Sequence, residues 1–249
     1  MGQADSLLPL IKDVAKAEQA QTLACQSCAL YRLCLPLGLH REDLVALDQI
    51  IRRRDSFRRG QRLFESGCDL TSLYVVRSGA FKTTVSAKDG REQVTGFYFP
   101  GEFIGLDALH LNTYPSTARA LELSSVCALP FDKLQMVSKS IPALQHQLLT
   151  RLSRALSDDK DLLLSLGQKS AEEKLVTFLI ALSTRFSERG FSAYNFQLPM
   201  SRGDIANHLG LALETVSRIF TRLQQADLIA VQGKSLTLLQ PEALQTKAG

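Results

Sequence analysis

No run of apolar residues in this 249-residue chain approaches the roughly 18 that a membrane span needs. The longest candidate, Leu175 to Leu182, is short and contains Thr177. No basic segment opens the chain, and Asp5 precedes any apolar stretch, which argues against a secretory signal. Gly2 and Ser6 match the loose myristoylation pattern, but nothing basic follows to supply a second anchor. There is no P-loop and no Rossmann glycine pattern, and His40, His110, His146 and His208 show neither metal spacing nor a paired nucleophile. The residues therefore argue against an enzyme. Charge of one sign is not in excess: a net +4 permits an anionic partner without demanding one. Five cysteines, three of them within ten residues, disfavour an even disulfide framework. The expectation is a cytoplasmic protein with no membrane partner, where clustered thiols bind metal more often than they form bridges.

What is present is ordinary globular chain, 45% apolar and 22% charged, long enough for one large domain or two smaller ones. Residues 1–20 are mixed and unpunctuated, and read as a flexible N-terminus with at most a loose helix. Leu44, Leu47, Ile50 and Ile51 recur at helical spacing and predict a helix over 41–51. Seven of the fifteen glycines lie between Gly60 and Gly105. Between and beyond them sit the β-rich runs Leu73–Arg77, Phe81–Val85, Gln93–Phe99, Ala118–Leu123 and Val126–Leu129. Short strands with glycine turns predict an antiparallel sandwich or barrel. Proline is then missing between Pro142 and Pro199. Leu144, Leu148, Leu152, Ala155, Leu162 and Leu166 predict a long amphipathic helix over about 141–167, with Asp159 where the stripe wants an apolar residue. A second helix follows over about 170–186, opened by a Ser170/Glu173 capping box.

The segment SRGDIANHLGLALETVSRIFTRL, Ser201 to Leu223, reads as a helix-turn-helix. Ser201 and Asp204 cap a short helix whose inner face is Ile205, Ala206 and Leu209. Gly210 makes the turn. In the second helix Val216 and Ile219 face inward, while Glu214, Ser217, Arg218 and Arg222 face outward. A hairpin at Ile229–Val231 and Leu236–Leu239 adds a wing. Such a motif sets its second helix in the major groove of double-stranded DNA. There Arg218 can bond guanine in bidentate fashion, Glu214 can accept from cytosine, and Ser217 can contact either base type. Arg222 and Lys234 suit phosphate. His208 reads as structural or phosphate-facing. The basic run Arg52, Arg53, Arg54, Arg58 and Arg59 reads as solvated surface.

Cys25, Cys28 and Cys34 can supply three thiolates, and a fourth must come from Cys68 or Cys127. Four thiolates suit an iron–sulfur cluster or structural zinc, and spacing alone leaves both open. On its own, Cys127 in a predicted strand reads as plain core.

The glycine-rich roll, long helix and winged helix-turn-helix together resemble the cyclic-AMP-receptor/FNR superfamily of bacterial transcription regulators, and within it the FNR/Anr-type oxygen-sensing branch. The resemblance covers roughly residues 21–240. It is carried by the cysteine triplet with Cys127, by GDIANHLGLALETVSR, and by SLYVVRSGAFK, GFYFPGEFIGLDAL and AEEKL. It implies an α+β chain: a cluster-binding segment and antiparallel β-roll (a cyclic-nucleotide-binding-like jelly roll) over 21–140, a dimerisation helix over 141–168, and a DNA-binding winged helix-turn-helix over 169–249. It also implies a [4Fe–4S] cluster on Cys25, Cys28, Cys34 and Cys127, leaving Cys68 spare. With the cluster, the protein dimerises and binds a palindromic TTGAT–ATCAA-like site; oxygen converts the cluster to [2Fe–2S], then destroys it, and monomers result. Glu214, Ser217 and Arg218 fall at the base-reading positions, and the 86–91 turn corresponds to a loop that touches RNA polymerase, with Arg91 where an acid is better known.

The long helix is the expected dimer seam, and Asp159 would face its symmetry mate there, a repulsion that keeps the dimer weak. Gly101-Glu102 matches the ribose-binding glutamate of cyclic-nucleotide receptors, but Pro115 stands where the phosphate-binding arginine belongs. No cyclic nucleotide is expected. A zinc-stabilised or ligand-sensing regulator without a redox cluster is the alternative.

Overall fold

A computed structural model describes residue 25 and residues 27–248; the expectations for 1–20 and the Gly2 pattern lie outside the described residues. Helix α1 (Arg41–Ile50) buries Leu44 and Leu47, the inner pair of the predicted stripe. Eight strands follow: β1 (Arg52–Phe57), β2 (Arg62–Phe64), β3 (Ser72–Ser78), β4 (Phe81–Ser86), β5 (Glu92–Tyr98), β6 (Phe103–Ile104), β7 (Thr117–Ala120) and β8 (Ser124–Pro130). They form two four-stranded antiparallel sheets, ordered β1-β8-β3-β6 and β2-β7-β4-β5. Phe64, Phe81, Ala118 and Ala120 of one sheet meet Tyr74, Val76, Ile104, Val126 and Ala128 of the other in a shared core. This is the expected roll.

Alternation decides what the outer face of the first sheet carries. Successive residues of a strand point to opposite faces. Val126 and Ala128 enter the sandwich, so Cys127 and Leu129 lie on the other side. There Leu129, with Leu73 and Val75, supports Leu35 and Leu39, helix α1, and the helices α2 (Phe131–Ser140) and α3 (Pro142–Gln168).

Helix α3 starts at Pro142, whose missing N–H is no loss in a first turn. It presents two apolar faces, and this corrects the single stripe of the sequence reading. Leu144 is buried and Leu148 half-buried against the protein's own roll, and Ala155 and Leu162 turn towards it. Leu149, Leu156 and Leu163, seven residues apart, are exposed. Leu152, Asp159 and Leu166 run between the two faces, with Asp159 exposed.

The C-terminal part comprises α4 (Ala171–Glu188), β9 (Asn195–Gln197), α5 (Arg202–His208), α6 (Leu213–Gln225), β10 (Ile229–Gln232), β11 (Ser235–Leu238) and α7 (Pro241–Ala248). The three strands pair in the order β10-β11-β9. Both predicted capping boxes form, Ser170/Glu173 on α4 and Ser201/Asp204 on α5. One apolar cluster joins this part to the roll: Val94, Phe97 and Phe99 share it with Phe178, Leu182 and Leu209.

Candidate cysteine centre and nucleic-acid interface

The segment after Cys25 has no long helix or strand, and short backbone bonds shape it. Tyr31 N–H donates to the Cys28 carbonyl at 3.0 Å, and Leu33 N–H to that of Leu30 at 2.9 Å. Leu35, 1% exposed, nails the segment to the apolar cluster over the first sheet. The result brings Cys25, Cys28, Cys34 and Cys127 to the wall of one almost wholly apolar cavity of about 30 Å³. That is room for about one water. Cys127 reaches it from β8, where it stands between Arg53 of β1 and Val75 of β3.

Burial pushes the Cys25 and Cys34 thiols up to about 12, and the neighbouring acidic groups add to it: Asp48 and Cys34 for Cys25, Cys127 and Cys28 for Cys34. Both thiols are therefore neutral in the metal-free chain at neutral pH, and a thiophilic metal must displace their protons to bind. Among the described residues no group of three or more His, Cys, Asp or Glu closes round a single metal ion. Cys68 is exposed in the turn after β2 and takes no part in the cavity.

The basic run lies on the surface, with Arg52, Arg53, Arg58 and Arg59 exposed, and the backbone of its first residues also forms an edge strand, β1, paired with β8. Arg53 donates to Asp48 Oδ1 at 2.6 Å and lies 4.0 Å from Cys25 Sγ. The pairing has no local signal, because it joins residues far apart in sequence through backbone bonds.

The second region is the helix-turn-helix. Ile205, Ala206 and Leu209 face Val216, Ile219, Phe220 and Leu223, all buried. Gly210 makes the turn with φ +63°, and a side chain there would meet nothing, so it is backbone conformation rather than space that calls for glycine. This packing turns Glu214, Arg218 and Arg222 outward, all exposed, with Ser217 half-buried beside them. Arg222 also lies 3.3 Å from the Glu172 carboxylate. Lys234 is exposed at the tip of the β10–β11 wing. His208 is structural: 8% exposed, with its ring against Phe97 and Phe178 and Nδ1 3.1 Å from the Val94 carbonyl.

Known proteins resemble this chain in sequence and fold. The Crp-like helix-turn-helix domain matches residues 173–247, and the cyclic nucleotide-binding domain matches residues 54–140. The transcriptional activator protein Anr of Pseudomonas protegens is 47% identical over 225 residues, 90% of this chain and 92% of that protein. The fumarate and nitrate reduction regulatory protein of Vibrio cholerae is 42% identical over 240 residues, 96% of each. Among solved structures, FixK2 from Bradyrhizobium japonicum superposes with a TM-score of 0.74 at 27% identity, over 80% of this chain and 98% of its own. The chain thus belongs to the Crp/FNR family of transcription regulators, beside the Anr and fumarate-and-nitrate-reduction proteins, and is a DNA-binding regulator rather than an enzyme.

Proposed function

We propose that the protein is a cytoplasmic oxygen sensor whose [4Fe–4S] cluster, held by Cys25, Cys28, Cys34 and Cys127, permits dimerisation and binding to palindromic TTGAT-like DNA sites that control anaerobic metabolism genes. One observation carries the reading: three clustered cysteines and a fourth, 93 residues beyond Cys34, line one cavity while Cys68 stands apart. The donor set fits a cluster, since four thiolates are its ordinary ligands. The cavity holds about one water, so Cys28, Cys34 and the residues between them would have to move outward to hold the group together with Cys127. When bound, the cluster supplies an oxygen-labile link between that segment and β8. Arg53, beside Cys25, offsets the negative charge that four thiolates gather.

The chain's own residues do the rest. Leu149, Leu156 and Leu163 of α3 form the seam for a second copy, a seven-residue repeat that suits a parallel helix pair. Asp159 sets that seam against itself. Dimerisation gates tight binding because one protomer cannot span two half-sites a helical turn apart. Arg218, Glu214 and Ser217 read bases, and Arg222 and Lys234 hold phosphate. Polymerase touches the exposed 86–91 turn, where Asp89 lies 2.8 Å from Arg91 and offsets its charge. Cyclic nucleotide has no place: Pro115 provides no cation, and Glu102 is already engaged by two arginines.

The test is purification without oxygen, with iron and sulfide analysis and visible spectra before and after air. Coloured protein with iron and sulfide in equal amounts, bleached by air, is expected. Cys127→Ser abolishes the absorption and Cys68→Ser keeps it; the reverse reassigns the fourth ligand. Colourless protein carrying zinc refutes the cluster.

A further inference from the structure

Glu102, half-buried in the cleft between the roll and α4, finds its partners within the same chain. Nε and Nη2 of Arg185 donate to Glu102 Oε1 and Oε2 at 2.9 and 2.5 Å, and Nη2 of Arg189 donates to Oε1 at 2.5 Å. Phe99 N–H donates to Oε2 at 2.9 Å. Burial pushes the Glu102 carboxyl up, but Arg185 and then Arg189 hold it below the usual carboxylate range. Both arginines are tied to the roll a second time, Arg185 Nη2 to the Phe97 carbonyl at 2.5 Å and Arg189 Nε to the Pro100 carbonyl at 2.7 Å. The Arg185 guanidinium also lies over the Phe99 ring, 4.6 Å from its centroid. Arg185 belongs to α4 and Arg189 caps its C-terminus, four residues on and so on the same face.

A second tie lies on α5. Among the described residues strand β5 is an edge strand, paired with β4. Asn207 completes that edge: its Oδ1 accepts from Val94 N–H at 2.5 Å, and its Nδ2 donates to the Glu92 carbonyl at 2.8 Å. Lys82 and Asp204 pair beside it at 2.5 Å. Docked in this way, the helix-turn-helix still exposes Glu214 and Arg218. The contacts therefore aim the reading helix and do not mask it.

The turn that carries Glu102 also meets the cysteine segment. Gly101 has φ +89°, and a Cβ on it would lie 2.9 Å from Cβ of Leu33, the residue before Cys34. Anything that displaces Leu33 acts on this turn.

We propose that Glu102, Arg185 and Arg189 form an interdomain latch that positions the DNA-reading helix on its own sensor roll, and that Leu33 against Gly101 sets the latch from the cysteine segment. The carboxylate thus does an internal job. The second clause rests on the cysteine reading above; the first does not.

The test is hydrogen–deuterium exchange of the full chain in air, where no cluster is needed. Glu102→Gln is expected to speed exchange about tenfold or more over residues 92–98 and 202–208, less than breaking a fully buried ion pair would give, since the Glu102 side chain keeps 22% exposure. Residues 126–129 and 216–223 stay unchanged. Arg189→Met gives the same pattern, the double variant is not additive, and Arg189→Lys, which keeps the charge but loses the fork, retains part of the protection. Leu33→Ala loosens the same two segments several-fold. No change in 92–98 and 202–208, or additive effects, overturns the latch; an effect of Glu102→Gln without one of Leu33→Ala overturns its control by the cysteine segment. If Glu102→Gln loosens every segment, the Arg189 pair decides. Because exchange is read on metal-free protein, a failed iron analysis leaves this result standing.

Discussion

Replacing Asp159 by alanine is expected to make the protein dimerise in air. Leu149, Leu156 and Leu163 are 58, 62 and 68% exposed on the outer line of α3. Burying a leucine fully is worth about 1.5–3 kcal/mol. Covering this line on two helices then gains roughly 7 kcal/mol, a figure inside the range of about 4–15 kcal/mol that association costs. A dimer built on that seam sits near balance, so one pair of groups decides it. The exposed Asp159 lies beside the line, between Leu152 and Leu166 in the heptad repeat. A parallel pairing brings two such carboxylates together, where they lose water and repel. For groups that stay partly wet this costs about 3 kcal/mol per dimer, on the order of 100-fold in Kd. Sedimentation velocity across a concentration series in air measures it. The Asp159→Ala midpoint should lie on the order of 100-fold below that of the wild type, and Asp159→Asn, which removes charge at constant shape, should recover most of that shift. Wild-type mass for Asp159→Ala at every concentration refutes the reasoning. Asp159→Asn staying monomeric while Asp159→Leu dimerises moves the cause from charge to apolar burial.

The reading helix and its docking give further expectations. Arg218→Ala should cost about 1–3 kcal/mol and relax preference at one position of each half-site. Lys234→Ala should weaken all sequences alike and reduce the salt slope by about one per protomer. Anisotropy titrations on base-substituted duplexes over a salt series separate the two. Docking of α5 on β5 should loosen in acid. Burial, with a smaller push from Arg185, holds His208 below its usual pKa against the raising effect of the Val94 carbonyl. The open form therefore binds the proton better, and the docking stability, complete above the ordinary histidine pKa near 6.5, is lost as pH falls from there through the depressed pKa of the docked form. Protection factors at 202–208, which divide out the slower intrinsic exchange in acid, should fall as pH drops below about 6.5 in the wild type and lose that dependence in His208→Gln; a slope unchanged by the substitution refutes the assignment.

What could be read from the residues was what neighbours in sequence decide. The helix-turn-helix is local: its capping box, turn glycine and inward apolar set all lie within two dozen residues, and each stands where the spacing predicts. Strands β3, β4, β5 and β8 announced themselves by β-rich runs between glycines. Strand β1 did not, because Arg-Arg-Arg-Asp-Ser-Phe is the composition of a charged edge, and edges are held by backbone pairing that side chains do not report. Strands β2, β6 and β9 are three residues or fewer and too short to show a period. The α3 stripe was legible as amphipathic but not as two-faced, since wheel geometry cannot say which leucines meet the chain's own roll. Glu102 and its arginines are 83 and 87 residues apart, beyond any local signal.

Sheet alternation ties the proposed sensing to the dimer helix. A cysteine one residue earlier or later on β8 would take the place of Val126 or Ala128 and point into the sandwich, away from the cysteine segment. At Cys127 the side chain emerges on the face where Leu35 and Leu39 of the cysteine segment lie against Leu129, Leu134, Ile141 and Leu144. The last two are the entry and first turn of α3. Cysteine segment and dimer helix thus share one apolar cluster, and such clusters are close-packed, so a wall does not move without its neighbours. A cavity of about 30 Å³ leaves little room to absorb the displacement that admitting the proposed metal centre would require. Ile141 and Leu144 do not line that cavity, but they share the close-packed cluster with Leu35 and Leu129, which do, so a displacement of Leu35 would be felt at the root of α3. A shift at the root of α3 re-aims Leu149, Leu156 and Leu163 relative to the rest of the protomer. With association so near balance, a bias of a few kcal/mol at that root is enough to decide between one copy and two.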